Sequence, residues 1–282
     1  MQSGYKLVDC LRTFDFKKST YYDRVKAAKL KKTCEFNVKN KLTELFRLSG
    51  ESAGSRTLQT QIKNEGYYLG LYKIRRMMSE LGLESCQPGQ HRYKKAEQPH
   101  LEIPNILNRQ FDVIAPNLFW CGDITYIWTG KAWSYLALVI DLYGRNVIGW
   151  AMSDSPDSEL TKKALTMAFE NRGRPTGVTF HSDQGVQYTS LAFRQIIWQY
   201  QMTQSMSRRG NCWDNAVMER TFRSFKTEWM PKLGYENFDE GLKSISYYYM
   251  VYFNQQRPHS ANFGLTPKQK DEEFYKKLSG IS

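Results

Sequence analysis

The segment "WSYLALVID" (133–141) is apolar at nearly every position, and no other stretch narrows the possible fold as much. A strand with one solvated face alternates apolar and polar residues, whereas an unbroken apolar strand is covered on both faces. This strand is therefore central in its sheet. Gly130–Lys131 precede it and Gly144–Arg145 follow it, and both pairs suit turns. "LFWCGDITYIWT" (118–129) and "NVIGWAMS" (146–153) lie beyond those turns, so three antiparallel strands in a meander are expected.

Downstream, the pattern predicts a helix from Ser158 to about Asn171 with Leu160, Ala164, Leu165 and Ala168 along one side. A strand "GVTFHSD" (177–183) and a helix over 190–200 follow. A glycine-bearing loop, "SMSRRGNCW", then leads to a long helix over Asp214–Met230 that ends at Pro231. Three antiparallel strands, a helix, a strand and further helices form the order of an RNase H-like α/β core, a mixed five-stranded sheet with flanking helices. Its expected span is 114–233, with a C-terminal helical extension and tail over 234–282.

The first part of the chain reads differently. Residues 1–48 form a basic helical segment with a turn around Asp15 and a second helix opened by Ser19 or Thr20, decorated by Lys17, Lys18 and Arg24. Residues 49–85 suit a small all-α helix-turn-helix, with one helix to about Asn64, a break at Gly66–Gly70 and a second from Leu71 to Leu81. Leu71, Ile74, Met78 and Leu81 would face inward, leaving Lys73, Arg75 and Arg76 to meet phosphate. Basic helical hairpins are often ordinary, so the motif alone does not establish DNA reading. Residues 86–113 are polar and proline-bearing at the start and read as a linker.

Charge points to the class of partner. Forty Lys+Arg against 28 Asp+Glu leave +12 among 282 residues, with a pI near 9.4. Such an excess favours nucleic acid or an anionic membrane surface. No apolar run approaches the roughly 20 residues of a membrane span, and "MQSGYKLVDC" is not a signal peptide. Five scattered cysteines without a CxxC pair argue against a zinc module or a disulfide framework and suit a reducing cytosol.

Three acids carry the chemistry. Asp123 lies in the first strand, Asp183 ends the fourth, and Glu219 lies in the long helix. In this topology the first and fourth strands are neighbours and a later helix crosses their ends, so the three carboxylates can converge. Met218, Phe222, Phe225 and Trp229 form the stripe that docks the helix. Glu219, Arg223 and Lys226 form the adjacent stripe, as in a helix running from a metal centre along a phosphate backbone. Singly, each acid has an ordinary explanation: Glu219 as an i,i+4 partner of Arg223, Asp123 bonded to Thr125, Asp183 capping a turn. Asp214 reads as the N-cap of the long helix, and Asp141 as a turn acid with a place near the site left open. His181 either orients the site or packs as a strand histidine, with packing the expectation. Hard oxygen donors without His or Cys select Mg²⁺ or Mn²⁺, and two ions suit in-line attack on a phosphodiester. Arg208 and Arg209, before the long helix, are expected DNA contacts. Arg257 and His259 either touch phosphate or build a turn around Pro258.

"WCGDITYI", "VIDLYGRNVIGWAMS", "FHSDQGVQYTS", "NAVMERTFRSFKTE" and "YFNQQRPHSANFGLTP" together resemble the DDE transposases of the retroviral-integrase superfamily, and most closely the B-frame product of the insertion sequence three family. The resemblance runs in order over about residues 1–270. It implies a catalytic triad at Asp123, Asp183 and Glu219, and metal-dependent cleavage and strand transfer at the element's terminal inverted repeats. It further implies double-stranded DNA as partner, a homo-oligomer on that DNA, and a prokaryotic cytoplasmic, nucleoid-associated setting. In that family the B-frame segment is often fused to an upstream A-frame product; this chain carries no such segment, so a partner or fusion is expected. A non-catalytic DNA-binding regulator and an RNase H-fold nuclease without strand joining are the rival readings.

Overall fold

In the computed structural model, which describes residues 7–13, 16–85, 103–208 and 210–280, the apolar run is the second of five strands. These are β1 (Phe119–Trp128), β2 (Trp133–Asp141), β3 (Asn146–Ser153), β4 (Thr179–Ser182) and β5 (Thr203–Met206). The sheet order is β3-β2-β1-β4-β5. β1, β2 and β3 form the antiparallel meander, and β4 and β5 add in parallel beside β1. The fifth strand takes in Ser205 and Met206 of the expected loop, and its four residues, "TQSM", carry no apolar alternation.

The helices are α1 (Leu7–Thr13), α2 (Lys18–Leu48), α3 (Ser55–Asn64), α4 (Leu71–Glu80) and α5 (Ser158–Asn171). They continue with α6 (Val186–Thr189), α7 (Leu191–Gln199), α8 (Ala216–Glu228), α9 (Phe238–Tyr247) and α10 (Pro267–Leu278). α9 runs on into a π-helical segment, Tyr248–Gln256. Helices cover both faces of the sheet, which explains the composition of β2. Ala137 and Val139 pack with Leu160, Leu165 and Phe193 on one side. Leu136, Leu138 and Ile140 pack with Phe222, Phe225 and Tyr249 on the other. Asn254 donates to and accepts from the Val147 backbone (2.8 and 3.0 Å), fastening the π-helical segment to the edge strand.

Three boundaries move. Val38, Leu42, Leu45 and Phe46 of α2 share one core with Leu58, Ile62, Ile74 and Met77. A division at 48/49 would cut that core, because α2 is the third wall of the helical hairpin. Met77 is fully buried while Leu71 and Leu81 are only half-buried, so the inward face is rotated from the one predicted. Residues 103–113 are not linker: Leu107 is fully buried, and Phe111 and Val113 pack against the core; residues 86–102 lie outside the described residues. Tyr248, Tyr249, Tyr252 and Phe253 complete the core that α8 begins, so 234 onward is no appendage. The helical module itself touches the core, Gln61 Nε2 donating to the Gln256 carbonyl at 3.3 Å.

Between β1 and β4 the tight spot is Gly122, where an added Cβ would run into the Phe180 ring on β4. Only a hydrogen there lets the ring lie over β1. Gly122→Ala is expected to cost about 1–3 kcal/mol, read as a lowered urea midpoint; an unchanged midpoint would show that the ring gives way freely.

Candidate active site

Strand register brings the first two acids together. β4 pairs with β1 only at Phe119↔Thr179, Trp120↔Phe180 and Cys121↔His181. Asp123 and Asp183 each lie two residues beyond the last pair. Side chains alternate with period two, so both leave the sheet on the face that Cys121 occupies, level with one another. That is the face of α8, which Met218, Phe222 and Phe225 press against the core. Glu219 lies in the first turn of α8, half-buried.

The electrostatics follow from this placement. Burial pushes the Asp123 carboxyl well above the usual carboxylate range, and the charges of Asp183 and then Glu219 push further; the Ile124 N–H, donating to Oδ1 at 2.8 Å, opposes them. Asp183 is also raised by burial, against the Gly185 N–H at 2.9 Å. Asp183 stands at the exposed rim of the pair. Tyr188, which the sequence reading passed over, is buried beside the pair, its phenol driven up by burial and by both aspartate charges. Its only sequence signal is its place five residues after Asp183.

Among the described residues no three His, Cys, Asp or Glu side chains already stand close enough to cage a metal ion. Asp123 and Asp183 are the near pair, and Glu219 acts on Asp123 from farther off. The donor chemistry nonetheless fits a hard divalent cation. Magnesium is usually held by one or two carboxylates, with waters and substrate phosphates completing its shell, and clustered carboxylates that raise one another's pKa gain from a cation between them.

A buried polar frame supports the acids. His181 packs, as expected: Nε2 is 3.0 Å from the Asp214 carbonyl, which only accepts, so Nε2 carries the proton and Nδ1 accepts from the Ser205 hydroxyl at 2.9 Å. Ser205 Oγ in turn accepts from the Ile106 N–H at 2.9 Å. Asp214 is not a helix cap; Asn215 holds that position, after a 3₁₀ turn over Cys212–Asn215. The fully buried Asp214 carboxylate accepts instead from Asn105 Nδ2 (2.8 Å), Arg109 Nε (2.7 Å) and Arg208 Nε (3.0 Å). Burial alone would raise it, but the Arg208 and Arg109 guanidiniums hold it well below the ordinary carboxylate range. Local pattern does not reveal this, because Asn105 and Arg109 lie about a hundred residues away and only Arg208 is near in sequence. Asp141 is indeed a turn acid, neutralised by Arg172 at 3.0 Å.

The expected DNA contacts fare unevenly. Lys17, Lys18 and Arg24 lie exposed at the free end of α2, and Arg223 is exposed on α8. Arg75 is exposed, with Nε 3.5 Å from Ser55 Oγ, and Lys73 is half-buried in the first turn of α4. Arg76 is paired with Glu35 (3.4 Å) and Glu80 (3.2 Å). Lys226 lies 4.3 Å over the Tyr126 ring, and burial lowers its pKa. Arg208 stays half exposed but spends its guanidinium on Asp214; Arg209 lies outside the described residues. Arg257 and His259 need correction. Arg257 is mostly buried and bonded to Glu228 (Nε–Oε2 2.7 Å), and His259 Nδ1 accepts from the Ala261 N–H at 3.2 Å to close a turn.

Comparison with known proteins agrees with this architecture. Two models described as integrase core domain match residues 114–212 and 200–267, and one described as HTH-like domain matches residues 35–91. The InsO protein of insertion sequence element IS911B from Escherichia coli K12 is 52% identical over 149 residues, 53% of this chain and 75% of its own. The transposase for insertion sequence element IS904 from Lactococcus lactis is 32% identical, over 83% of this chain and 92% of its own. Transposase InsF for insertion sequence IS3A from Escherichia coli K12 is 32% identical, over 79% and 78%. Among solved structures, the HTLV-2 integrase catalytic core domain in complex with magnesium aligns over 56% of this chain and 97% of its own, at 20% identity and a TM-score of 0.42, too distant to inform the chemistry. A five-stranded mixed sheet that matches the integrase core, beside a helix-turn-helix-like module, defines an integrase-type recombinase. Within that class the chain belongs to the DDE transposases of the insertion sequence three family, as a B-frame product, and its function is DNA transposition.

Burial holds His181 neutral, with its pKa pushed down to about 4, and burial with the Arg257 charge does the same for His259. An unfolded histidine titrates near 6.5. Between about 6.5 and 4 the unfolded chain therefore binds more protons, and stability falls as pH falls. The raised carboxyls of Asp123 and Asp183 act oppositely, so a difference is the cleaner reading. The drop in melting temperature from about pH 7 to pH 5 should be smaller in His181→Gln than in the wild type; equal drops would remove His181 from the linkage.

Proposed function

We propose that Asp123, Asp183 and Glu219 are the catalytic acids of the transposase and hold Mg²⁺ or Mn²⁺, two ions per site. The observation that carries this is the register of β1 and β4, which sets two aspartates side by side just past the point where the parallel pairing of these strands stops. When bound, the ions would activate the attacking oxygen and neutralise the leaving oxygen of an in-line displacement. The protein's own contribution is positioning. Asp123 stands on a central strand, Asp183 is steadied by the Gly185 N–H, and Glu219 rides on a helix whose apolar stripe is buried.

Such a site needs no covalent protein–DNA link. Water attack frees a 3′ hydroxyl at the element end, and that hydroxyl attacks a second phosphodiester. The partners are the terminal inverted repeats of the element and target duplex, held by the helix-turn-helix-like module and the exposed cations of α2 and α8. Bringing two ends together calls for a homo-oligomer on DNA, and an A-frame protein or fusion would complete the active species. Among the described residues no helix is long and apolar enough to cross a membrane. The setting we infer is the bacterial cytoplasm, on the nucleoid.

Asp183→Asn removes one of two repelling charges, so its metal-free fold should be at least as stable as the wild type. It should bind an end duplex normally and lose divalent-dependent strand cleavage. In parallel, millimolar Mn²⁺ should raise the melting temperature of the wild type by mass action and leave Asp123→Asn unmoved. Normal cleavage by the first variant, or an equal thermal shift in the second, would refute the assignment.

A further inference from the structure

Phe263 is an aromatic side chain held where neither packing nor backbone comfort would put it. It is 95% exposed and sits at φ 55°, ψ 31°, the left-handed region that a bulky residue avoids. The loop carrying it is held by hydrogen bonds on both sides. The His259 N–H donates to the Leu265 carbonyl (3.0 Å) and the Gly264 N–H to the His259 carbonyl (3.1 Å). The buried Asn262 ties the loop to the core, Nδ2 donating to the Gly144 carbonyl at 2.8 Å. On its other side Gly264, at φ +90°, leaves room for Thr60 of α3, whose Cγ2 would stand 3.1 Å from a Cβ there. A scattered surface phenylalanine needs no explanation, but one clamped outward at a backbone cost is a pointer to function.

Its surroundings indicate what it meets. Phe263 borders a cleft of about 540 Å³ with Gln59, Thr60 and Lys63 of α3 and with Tyr68 and Leu69 of the turn before α4. Lys63 is the charged residue lining it, and no acid does. Tyr68 and Tyr72, at that turn and in the first turn of α4, are 79% and 82% exposed. In helix-turn-helix readers the first residues of the second helix approach the bases, so a duplex on α4 would pass this loop. Phenylalanine is one of the residues that enter between base steps and unstack them.

We propose that Phe263 is a DNA wedge: with the turn between α3 and α4 it forms a composite reading surface for the element-end duplex, wedging at a base step beside the segment read by α4. This rests on the reading that the helix-turn-helix-like module holds the element end. The probe is a duplex of the element's terminal inverted repeat, carrying 2-aminopurine at successive steps, with the full chain and a scrambled duplex as control. Phe263→Ala should weaken end binding about tenfold without changing the slope of affinity against salt, because no charge is lost. It should also abolish a 2-aminopurine brightening seen with the wild type at one step, and Phe263→Trp should restore both. Lys73→Ala, by contrast, should lower the salt slope by about one.

Wild-type affinity and brightening in Phe263→Ala, with binding weakened in Lys73→Ala, would overturn the wedge and leave the module's role standing. Unchanged binding in both variants would overturn both. A melting temperature lowered by Phe263→Ala, or an altered sedimentation coefficient without DNA, would mean that the ring packs on protein and would equally overturn the wedge.

Discussion

The site depends on where the parallel pairing of β1 and β4 stops. Three residue pairs hold the strands together, ending at Cys121↔His181, and beyond that pair the two chains part. The next side chains on the same face are Asp123 and Asp183. Because the strand period is two, a slip of one residue would turn one aspartate into the opposite core, among Trp120, Phe180 and Phe193. Backbone hydrogen bonds that recognise no side chain thus decide that two like charges meet. The apolar packing on both faces of β2 keeps the register from moving.

Keeping two repelling carboxylates together requires a frame that does not yield. His181, one register step below Asp183 on the same face, is bonded at both nitrogens and links β4 to β5 and to the turn entering α8. Asp214 in that turn is charged, fully buried and matched by Arg109 and Arg208. A buried carboxylate with two guanidiniums is costly to break, because removing either partner leaves an uncompensated charge. The frame therefore anchors the start of α8, and with it Glu219. At the far end of the same helix Glu228 is bonded to Arg257. The helix carrying the third acid is pinned by an ionic contact near each end and by an apolar stripe between them.

Much of this was legible from residue types. "WSYLALVID" could only be a central strand, and the acids stood out because their spacing and their places in the element order let one site collect all three. Glu219 was readable from the stripe of Met218, Phe222 and Phe225, which tells which side of the helix must face the sheet. What escaped depended on partners distant in the chain. Arg257 looked like a free cation until Glu228, on another helix, was found beside it. Asp214 looked like a cap because local pattern knows only its neighbours, and its partner Arg109 lay in what read as linker. β5 escaped because a short parallel strand with few apolar residues has no periodic signature.

Sequence alone determined the element order, the dry central strand, the excess of positive charge and the three candidate acids, since these follow from side-chain chemistry and local periodicity. Tertiary structure decided which charges are spent and which are available. It neutralised Arg76 against Glu35, Arg208 against Asp214 and Arg257 against Glu228, and it joined the C-terminal segment to the core of the sheet. It also set Asp123 and Asp183 level with each other. Coulomb energy depends on distance and desolvation, and neither is a property of a residue until the chain has folded around it.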